Sequence, residues 1–361
     1  MEGGNLNFMR HTAFALVLGS LLVANLPAAD QQLVNMVMPD AKVVAGINVD
    51  SARNSPFGSF LLRQASDNNA ELQKFIQASG FNPQTDLNEI LIATTGAPAK
   101  PAEPVAPAAP AAPGAPAAPA APGAHLATRG RAPEMKGLIL ARGTFNIDKI
   151  SALARTEGKQ NIEQYNGVLL ISDPKHALAS AMAFVNANIA IAGDLADVKA
   201  AIDRRSRANS MDPQLTTKMN SLSNSQDAWA VSIAPMSSLN AGPASDPALQ
   251  GALGGDLFKK ITQSSGGIKF GAQIELSTEM VAPDEKNATA LSDVVKFLVG
   301  MVTMNAGPAK GAPPAMMTLL QGMNVQTQGN VVNVSVSVPE DQMESLVNSM
   351  HPAVKNSGAK I

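Results

Sequence analysis

The sequence predicts an α+β protein of two similar modules, each a mostly antiparallel sheet packed with helices, preceded by a signal peptide. Three observations predict this class. The first residues resemble an export signal; apolar residues recur with strand spacing in some segments and with helical spacing in others; and both halves of the remaining chain end in a hairpin followed by an amphipathic helix. We therefore assign residues 1–29 to the signal, 30–207 to the first module and 208–361 to the second.

The signal has the three parts of a secretory leader. Arg10 and His11 supply the positive end, an uncharged apolar run follows over 13–26, and the Pro-Ala-Ala sequence of 27–29 offers small residues to a signal peptidase. Cleavage at this point makes Asp30 the first residue of a mature chain in the bacterial periplasm or outside the cell. The alternative is an uncleaved signal that stays as an N-terminal anchor, although the apolar run is short for a membrane span.

Composition narrows the classes of function. The chain of 361 residues has no cysteine, which excludes disulfides, thiolate catalysis and thiolate metal sites. A net charge of -2 provides no basic surface for nucleic acid. Aromatic residues make up 4% of the chain, too few for the usual stacking platforms of sugar or single-strand binding. Beyond the signal no apolar stretch reaches the roughly 18 residues of a membrane span.

A tract rich in alanine and proline interrupts the first module over 97–133. Proline recurs at every third position over 98–122, which is the period of a polyproline II helix, and the glycine content is too low for collagen. The flanking segments 89–95 and 136–145 each have the composition of a strand. We therefore interpret the tract as an insertion between neighbouring strands of one sheet, disordered or in the polyproline II conformation.

The elements of the first module follow from hydrophobic spacing and turn residues. Asn166-Gly167 predicts a type I′ hairpin, because both turn positions accept positive φ. Asn146 or Asp148 is expected to cap a short helix, and Asp194 a second one. The expected strands are 43–49, 89–95, 136–145 and 187–192, and the expected long helix is 57–79.

In the second module the valines of 332–338 alternate with asparagine and serine, as a strand with one buried and one wet face requires. Pro339 suits the first position of a closing helix. The stretch 306–314 and the glycine-rich stretch 242–255 are expected to be surface loops. The other expected elements are strands over 228–234 and 267–278 and helices over 253–262 and 291–304.

No arrangement of residues indicates a catalytic centre. Outside the signal and the proline tract, which contain His11 and His125, the only histidines are His176 and His351, and neither has a second histidine at ligand spacing. No nucleophile elbow, phosphate-binding loop or dinucleotide-binding motif is present. We therefore assign no catalytic, cofactor-binding or metal-ligating residue, and we expect aliphatic and methionine side chains to line the largest pocket.

Two groups of residues leave alternatives open. Acidic residues such as Asp148, Asp194 and Glu340 coincide with helix starts, and the alternative is a hydrolase of unrecognised type that uses carboxylates. Methionine thioethers bind Cu(I), although the same positions suit core packing. The methionines concerned are Met301, Met304, Met316, Met317 and Met323.

The sequence thus predicts a non-catalytic exported protein of the cell envelope with a binding or structural role. Its ligand is unknown, and its partner is expected to be an unidentified envelope component or protein. We expect no cofactor, no nucleic-acid partner and no membrane span beyond the signal. Arg204, Arg205 and Arg207 are interpreted as cations at the end of a helix, where the carbonyl dipoles favour positive charge.

Overall fold

The computed structural model describes residues 29–67, 70–98, 135–157, 160–172, 180–238, 256–305 and 314–350. The helices are α1 (Gln31–Met36), α2 (Val49–Arg53), α3 (Pro56–Asp67), α4 (Ala70–Ser79), α5 (Pro83–Asp86), α6 (Ile147–Glu157), α7 (Leu195–Arg204), α8 (Pro213–Ser225), α9 (Asp256–Lys259), α10 (Glu285–Asn305), α11 (Pro314–Gln321) and α12 (Glu340–Met350). The strands are β1 (Val43–Asn48), β2 (Leu87–Pro98), β3 (Met135–Gly143), β4 (Asn161–Tyr165), β5 (Val168–Ser172), β6 (Ser180–Asn186), β7 (Ile189–Asp194), β8 (Ala228–Ser232), β9 (Gln263–Lys269), β10 (Gln273–Val281), β11 (Asn324–Gln328) and β12 (Val331–Pro339).

Twelve strands form one sheet in the order β11-β12-β10-β9-β8-β1-β2-β3-β7-β6-β5-β4. Neighbouring strands pair antiparallel throughout. Strand β1 lies at the junction, because it pairs with β2 on one side and with β8 on the other. Helices together with a large antiparallel sheet confirm the α+β class. The division into two similar modules stays a prediction, and the strands assigned to them share this one sheet.

The strands on either side of the proline tract are neighbours, as the sequence predicts. Strands β2 and β3 pair antiparallel, with Ile92 opposite Ile139 and Leu91 opposite Leu140. Most of the tract itself lies in the stretch 99–134, outside the described residues. The two strands that flank it therefore form adjacent positions in the sheet.

One face of the sheet, here called the front face, carries Leu91 of β2 and Leu140 of β3. Helices α1, α7 and α8 cover this face over the part of the sheet that runs from β8 through β1 to β5. Each helix contributes a completely buried side chain: Leu33, Ile202 and Leu215. The front face of β9, β10 and β12 is polar instead, because serine, asparagine and glutamate occupy the corresponding positions. Burial of the apolar half of this face stabilises the fold by roughly 25 cal/mol for each Å² of apolar surface removed from water.

The opposite face, here called the back face, carries Ile47 and Ile90, and the described helices cover it toward its two ends. At one end Ile274 of β10 packs with Phe57 of α3 and Met343 of α12. At the other end α6 packs over β5, β6 and β7. The packing also crosses the expected module boundary. Helix α3 precedes residue 207 and joins the core of the later strands, while α8 follows it and joins the core of the earlier ones.

The expected single strand over 267–278 is wrong, because the chain turns between β9 and β10. Asp227 is 5% exposed, and its carboxylate accepts hydrogen bonds from the Phe270 N–H at 2.7 Å and from Lys269 Nζ at 2.9 Å. Because of these bonds, Phe270 does not take part in the sheet. The alternating residues before it belong to β9, and those after it belong to β10. Gly271 lies within the turn.

Other differences concern elements of weak pattern. Strand β6 and helices α8 and α11 were not predicted, because α8 is rich in serine, threonine and asparagine, and β6 and α11 lie in short apolar stretches. Pro339 ends β12 instead of opening α12. The described part of the stretch 57–79 forms α3 and α4, and α9 is shorter than the expected helix over 253–262.

Local signals with a definite stereochemical cause are confirmed. Asn166 and Gly167 have φ of 48° and 77°, as a type I′ turn requires. Asn146, not Asp148, caps α6, because its Oδ1 accepts the Lys149 N–H at 3.0 Å. The valines of β12 alternate with exposed asparagine and serine, and Val332 and Val338 are fully buried.

Gly46 on the junction strand is opposite Trp229, the only tryptophan of the chain, and the indole lies directly over the glycine. A Cβ atom at position 46 would overlap the ring. We expect Gly46→Ala to lower the free energy of unfolding by about 1–3 kcal/mol. Urea unfolding and the tryptophan emission maximum measure this. Gly300→Ala in α10 is the control, since a Cβ there meets nothing within 4 Å; equal effects of the two changes would contradict the close packing at Gly46.

Candidate functional site

An apolar cleft of about 190 Å³ opens on the back face, between strands β2, β3, β6 and β7 and the residues around α6. Three phenylalanines form one wall: the ring of Phe145 lies 5.4 Å from that of Phe81 and 5.7 Å from that of Phe184, centroid to centroid. The other lining residues are Leu87, Ile90, Ile139, Ala141, Ile150, Met182, Ala190, Ile191 and Ala192. The lining offers dispersion contacts and no titratable side chain.

A row of apolar side chains leads across four strands to this cleft. In the strand register Ile92 is opposite Ile139, Ile139 is opposite Ala192, and Ala192 is opposite Met182. Three of these side chains are unusually exposed for their type: Ile92 at 42%, Ile139 at 48% and Met182 at 38%. The row therefore presents an apolar strip to solvent on the middle of the back face, which none of the described helices covers.

Backbone hydrogen bonds position the phenylalanine wall. The Phe145 N–H donates to the Ala187 carbonyl at 2.8 Å, which fastens the connection after β3 to the turn between β6 and β7. The Asn188 side chain strengthens this link by donating from Nδ2 to the Gly143 carbonyl at 2.9 Å. The cleft thus depends on contacts between segments that are more than forty positions apart. No local pattern in the sequence indicates it.

Residues of β8, β9, β10 and β12 line two further cavities. The larger has about 490 Å³, and serine, threonine and glycine line it together with Trp229 and aliphatic residues such as Ile268 and Leu276. The expectation that aliphatic and methionine side chains line the largest pocket stays a prediction. The other, of about 300 Å³, contains Lys218 and Glu279, whose Nζ and Oε1 are 2.5 Å apart in an ion pair.

A cluster of charged groups surrounds Asp30 at the start of α1. One carboxylate oxygen of Asp30 caps the helix by accepting the Gln32 N–H at 2.8 Å, and the other forms an ion pair with Arg142 Nε. The backbone nitrogen of Asp30 lies 3.2 Å from each carboxylate oxygen of Glu89. Arg142 also donates from Nη2 to the Gln32 side chain at 2.8 Å.

Glu89 occupies the inner end of this cluster. Burial raises its pKa from the ordinary 4.5 to about 7, and the neighbouring Asp30 carboxylate acts in the same direction. The Asp30 N–H and the Arg142 guanidinium act in the opposite direction without cancelling the effect of burial. Sequence reasoning assigned Glu89 only to a strand, because nothing local marks it as the partner of a residue 59 positions away.

The four histidines, His11, His125, His176 and His351, all lie outside the described residues. Within the arginine cluster, Arg205 agrees with the interpretation, because its Nη1 donates to the Ile202 carbonyl in the last turn of α7 at 2.8 Å. Arg204 instead donates from Nη2 to the Met36 carbonyl at the end of α1, at 2.9 Å.

The acidic residues singled out by sequence have separate surroundings. Asp194 occupies the N-cap position of α7, but its side chain makes no capping hydrogen bond. Glu340 reaches from α12 to the start of α3, where it accepts hydrogen bonds from the Phe57 N–H and from Ser55 Oγ. Its carboxylate therefore fixes one helix on another, a role that sequence reasoning missed because the partners are 283 positions apart.

The methionines also have different environments. Met316 packs against the core around Ile274 and Val338, where its thioether is one apolar group among many. Met304 is 85% exposed. Within the described ranges, no group of three or more histidine, aspartate or glutamate side chains is placed to hold a metal ion. None of the helices in those ranges has the length and apolar character that crossing a bilayer requires.

Comparison with known proteins gives no family. No protein-family model matches the chain, and no curated protein is similar to it in sequence. Among solved structures, crystal form I of TP0453 aligns with a TM-score of 0.48 and 8% identity over 90% of this chain and 99% of that one. Crystal form IV of TP0453 aligns with a TM-score of 0.45 and 7% identity over 87% and 95%. Likeness at this level carries no conclusion about function.

The raised pKa of Glu89 predicts a pH dependence of stability while the Ala29–Asp30 peptide bond is intact. Between pH 4.5 and about 7 the folded chain binds a proton that the unfolded chain has released, so the free energy of unfolding falls as pH rises through this window. The total loss is about 3 kcal/mol. We expect Glu89→Gln to abolish this slope in urea titrations, and Glu163→Gln, which removes an exposed partner of Lys199, to retain it. A slope that survives in Glu89→Gln would assign the titration to another group.

Proposed function

We propose that this chain is a non-catalytic exported protein of the bacterial cell envelope that binds the apolar part of a small ligand in the back-face cleft. The observation that carries the proposal is the lining of the cleft, which is apolar throughout and includes the wall of Phe81, Phe145 and Phe184. Its volume of about 190 Å³ exceeds the roughly 150 Å³ of an engineered apolar cavity that binds benzene.

The exposed strip supports the same function. Contiguous apolar surface on a soluble domain marks an interaction site more often than chance exposure, and Ile92, Ile139 and Met182 form such a surface at the cleft. A ligand that covered these side chains would gain roughly 25 cal/mol of binding free energy for each Å² of apolar surface removed from water. Because the cleft has no hydrogen-bonding side chain, it selects by size and shape.

Among the described residues, no observation favours either of the two alternatives. The carboxylate of Glu340 links α12 to the start of α3. Asp148 lies in the first turn of α6, and Asp194 occupies the N-cap position of α7. Met316 belongs to a packed core, and Met304 faces solvent. The proposal therefore assigns no catalytic, cofactor-binding or metal-ligating residue.

We further propose that the two sets of strands are similar modules. Strand order supports this proposal. Each set ends in a hairpin, β6–β7 in the first and β11–β12 in the second. In each, the second strand of the hairpin pairs with the third strand of the set: β7 with β3, and β12 with β10. A helix follows the returning strand in both sets, α7 in one and α12 in the other. Strands β4 and β5 are then an addition to the first set.

Benzene is a suitable probe of the cleft. We expect it to shift the methyl resonance of Met182 in methionine-methyl-labelled protein, and we expect Ala192→Phe, which fills the cleft, to weaken this binding by about tenfold or more. Ala230→Phe is the matched control, because Ala230 lies on the same face of β8 but does not line the cleft. Equal binding by both variants would place the benzene elsewhere.

Export predicts the location and the first residue of the mature chain. When the full sequence is produced in an exporting bacterium, we expect the protein in the periplasmic or extracellular fraction, beginning at or near Asp30. Cell fractionation with N-terminal sequencing measures both properties. Soluble cytoplasmic protein with an intact Met1 would contradict the proposal.

A further inference from the structure

The backbone nitrogen of Asp30 has an unusual acceptor. It lies 3.2 Å from both oxygens of the Glu89 carboxylate, so the two oxygens share the single hydrogen of a neutral amide. Glu89 is largely withdrawn from water, and its pKa is raised. An ammonium group at the same position has three hydrogens and a positive charge, and it would satisfy both oxygens.

The charges around Asp30 are also unbalanced. Two carboxylates, those of Asp30 and Glu89, face one guanidinium, that of Arg142. The cluster therefore has a formal charge of minus one when Glu89 is ionised. One added positive charge at the Asp30 nitrogen makes it neutral, and buried ionised groups are stable only when they are paired in this way.

We propose that Glu89 and Arg142 form a receptor for the N-terminus of the processed chain, with the α-ammonium of Asp30 on Glu89 and the side chain of Asp30 on Arg142. The inference rests on the proposed export, because it requires hydrolysis of the Ala29–Asp30 bond by a peptidase of the exporting cell. Water adds across this peptide bond. The new carboxylate leaves with the leader on Ala29, and the new amine stays on Asp30, where it takes up a proton.

The residues that follow Asp30 hold its nitrogen in place, although Ala29 before it also packs against the front-face core. The Asp30 side chain caps α1 through the Gln32 N–H, and α1 is held in the front-face core by Leu33, which is completely buried. Removal of the leader therefore leaves the nitrogen in place beside Glu89. Only its charge and its number of hydrogens change.

A consequence is that removal of the leader strengthens the fold. In a chain that still has the leader, the half-buried Glu89 faces a neutral amide, whereas in a processed chain it forms an ion pair with the Asp30 ammonium. The Asp30 amine and the Glu89 carboxylate then shift each other's titration, the amine toward higher pH and the carboxylate toward lower pH.

The test uses processed protein purified from an exporting bacterium that expresses the full sequence. Mass spectrometry identifies the first residue, and NMR of ¹⁵N-labelled protein follows the Asp30 α-amine as a function of pH. We expect a titration midpoint about one unit or more above the 7.7–8.0 of an ordinary N-terminus. In Glu89→Gln the midpoint should return to that range, while Glu163→Gln, an exposed change on β4, should leave it raised.

The outcomes separate this inference from the proposed export. Exported protein that begins at Asp30 and titrates at an ordinary midpoint overturns the receptor and leaves export intact. Exported protein that begins at a different residue has the same meaning. Unprocessed protein in the cytoplasm overturns both. If Glu89→Gln does not fold, the titration midpoint of the unmodified protein still decides, because an ordinary value contradicts the ion pair.

Discussion

The pairing of β1 with β8 is the interaction on which the architecture depends. It joins five strands on one side to seven on the other, and it makes one sheet from segments separated by some 180 positions. Within this ladder Gly46 is opposite Trp229, and the absence of a side chain at the glycine lets the indole lie across the strand. The ladder and this close packing hold the two sets of strands in register.

A continuous sheet must hide its apolar surface, and here the main helix layers lie on opposite faces in the two sets of strands, while α6 also covers the outer back face of the first set. Helices α1, α7 and α8 cover the front face of the first set, while α3, α11 and α12 cover the back face of the second. Where the coverage changes sides, none of the described helices lies over Ile92 of β2 and Ile139 of β3 on the back face, and both side chains are exposed. The cleft beside them is a consequence of this change.

The sequence predicts those features whose causes are local. Positive φ at Asn166-Gly167 and the alternation of valine in β12 have stereochemical reasons within a few residues. The break between β9 and β10 could not be predicted, because Asp227, which withdraws Phe270 from the ladder, precedes it by 43 positions. The candidate cleft was not predicted either. Its lining comes from five separate elements and the loops that precede them, and each contributes residues that resemble ordinary core.

The cluster at Asp30 combines both kinds of information. Sequence marks the end of a leader at 27–29, and the fold brings Glu89, from the third position of β2, to the first residue beyond it. Neither observation alone indicates a receptor. An unpaired carboxylate that is partly withdrawn from water is costly, and the end of a leader does not by itself indicate a partner. Together they support the inference, because the Glu89 carboxylate lacks a cationic partner on this side and cleavage after Ala29 creates an ammonium group at the Asp30 nitrogen that faces it.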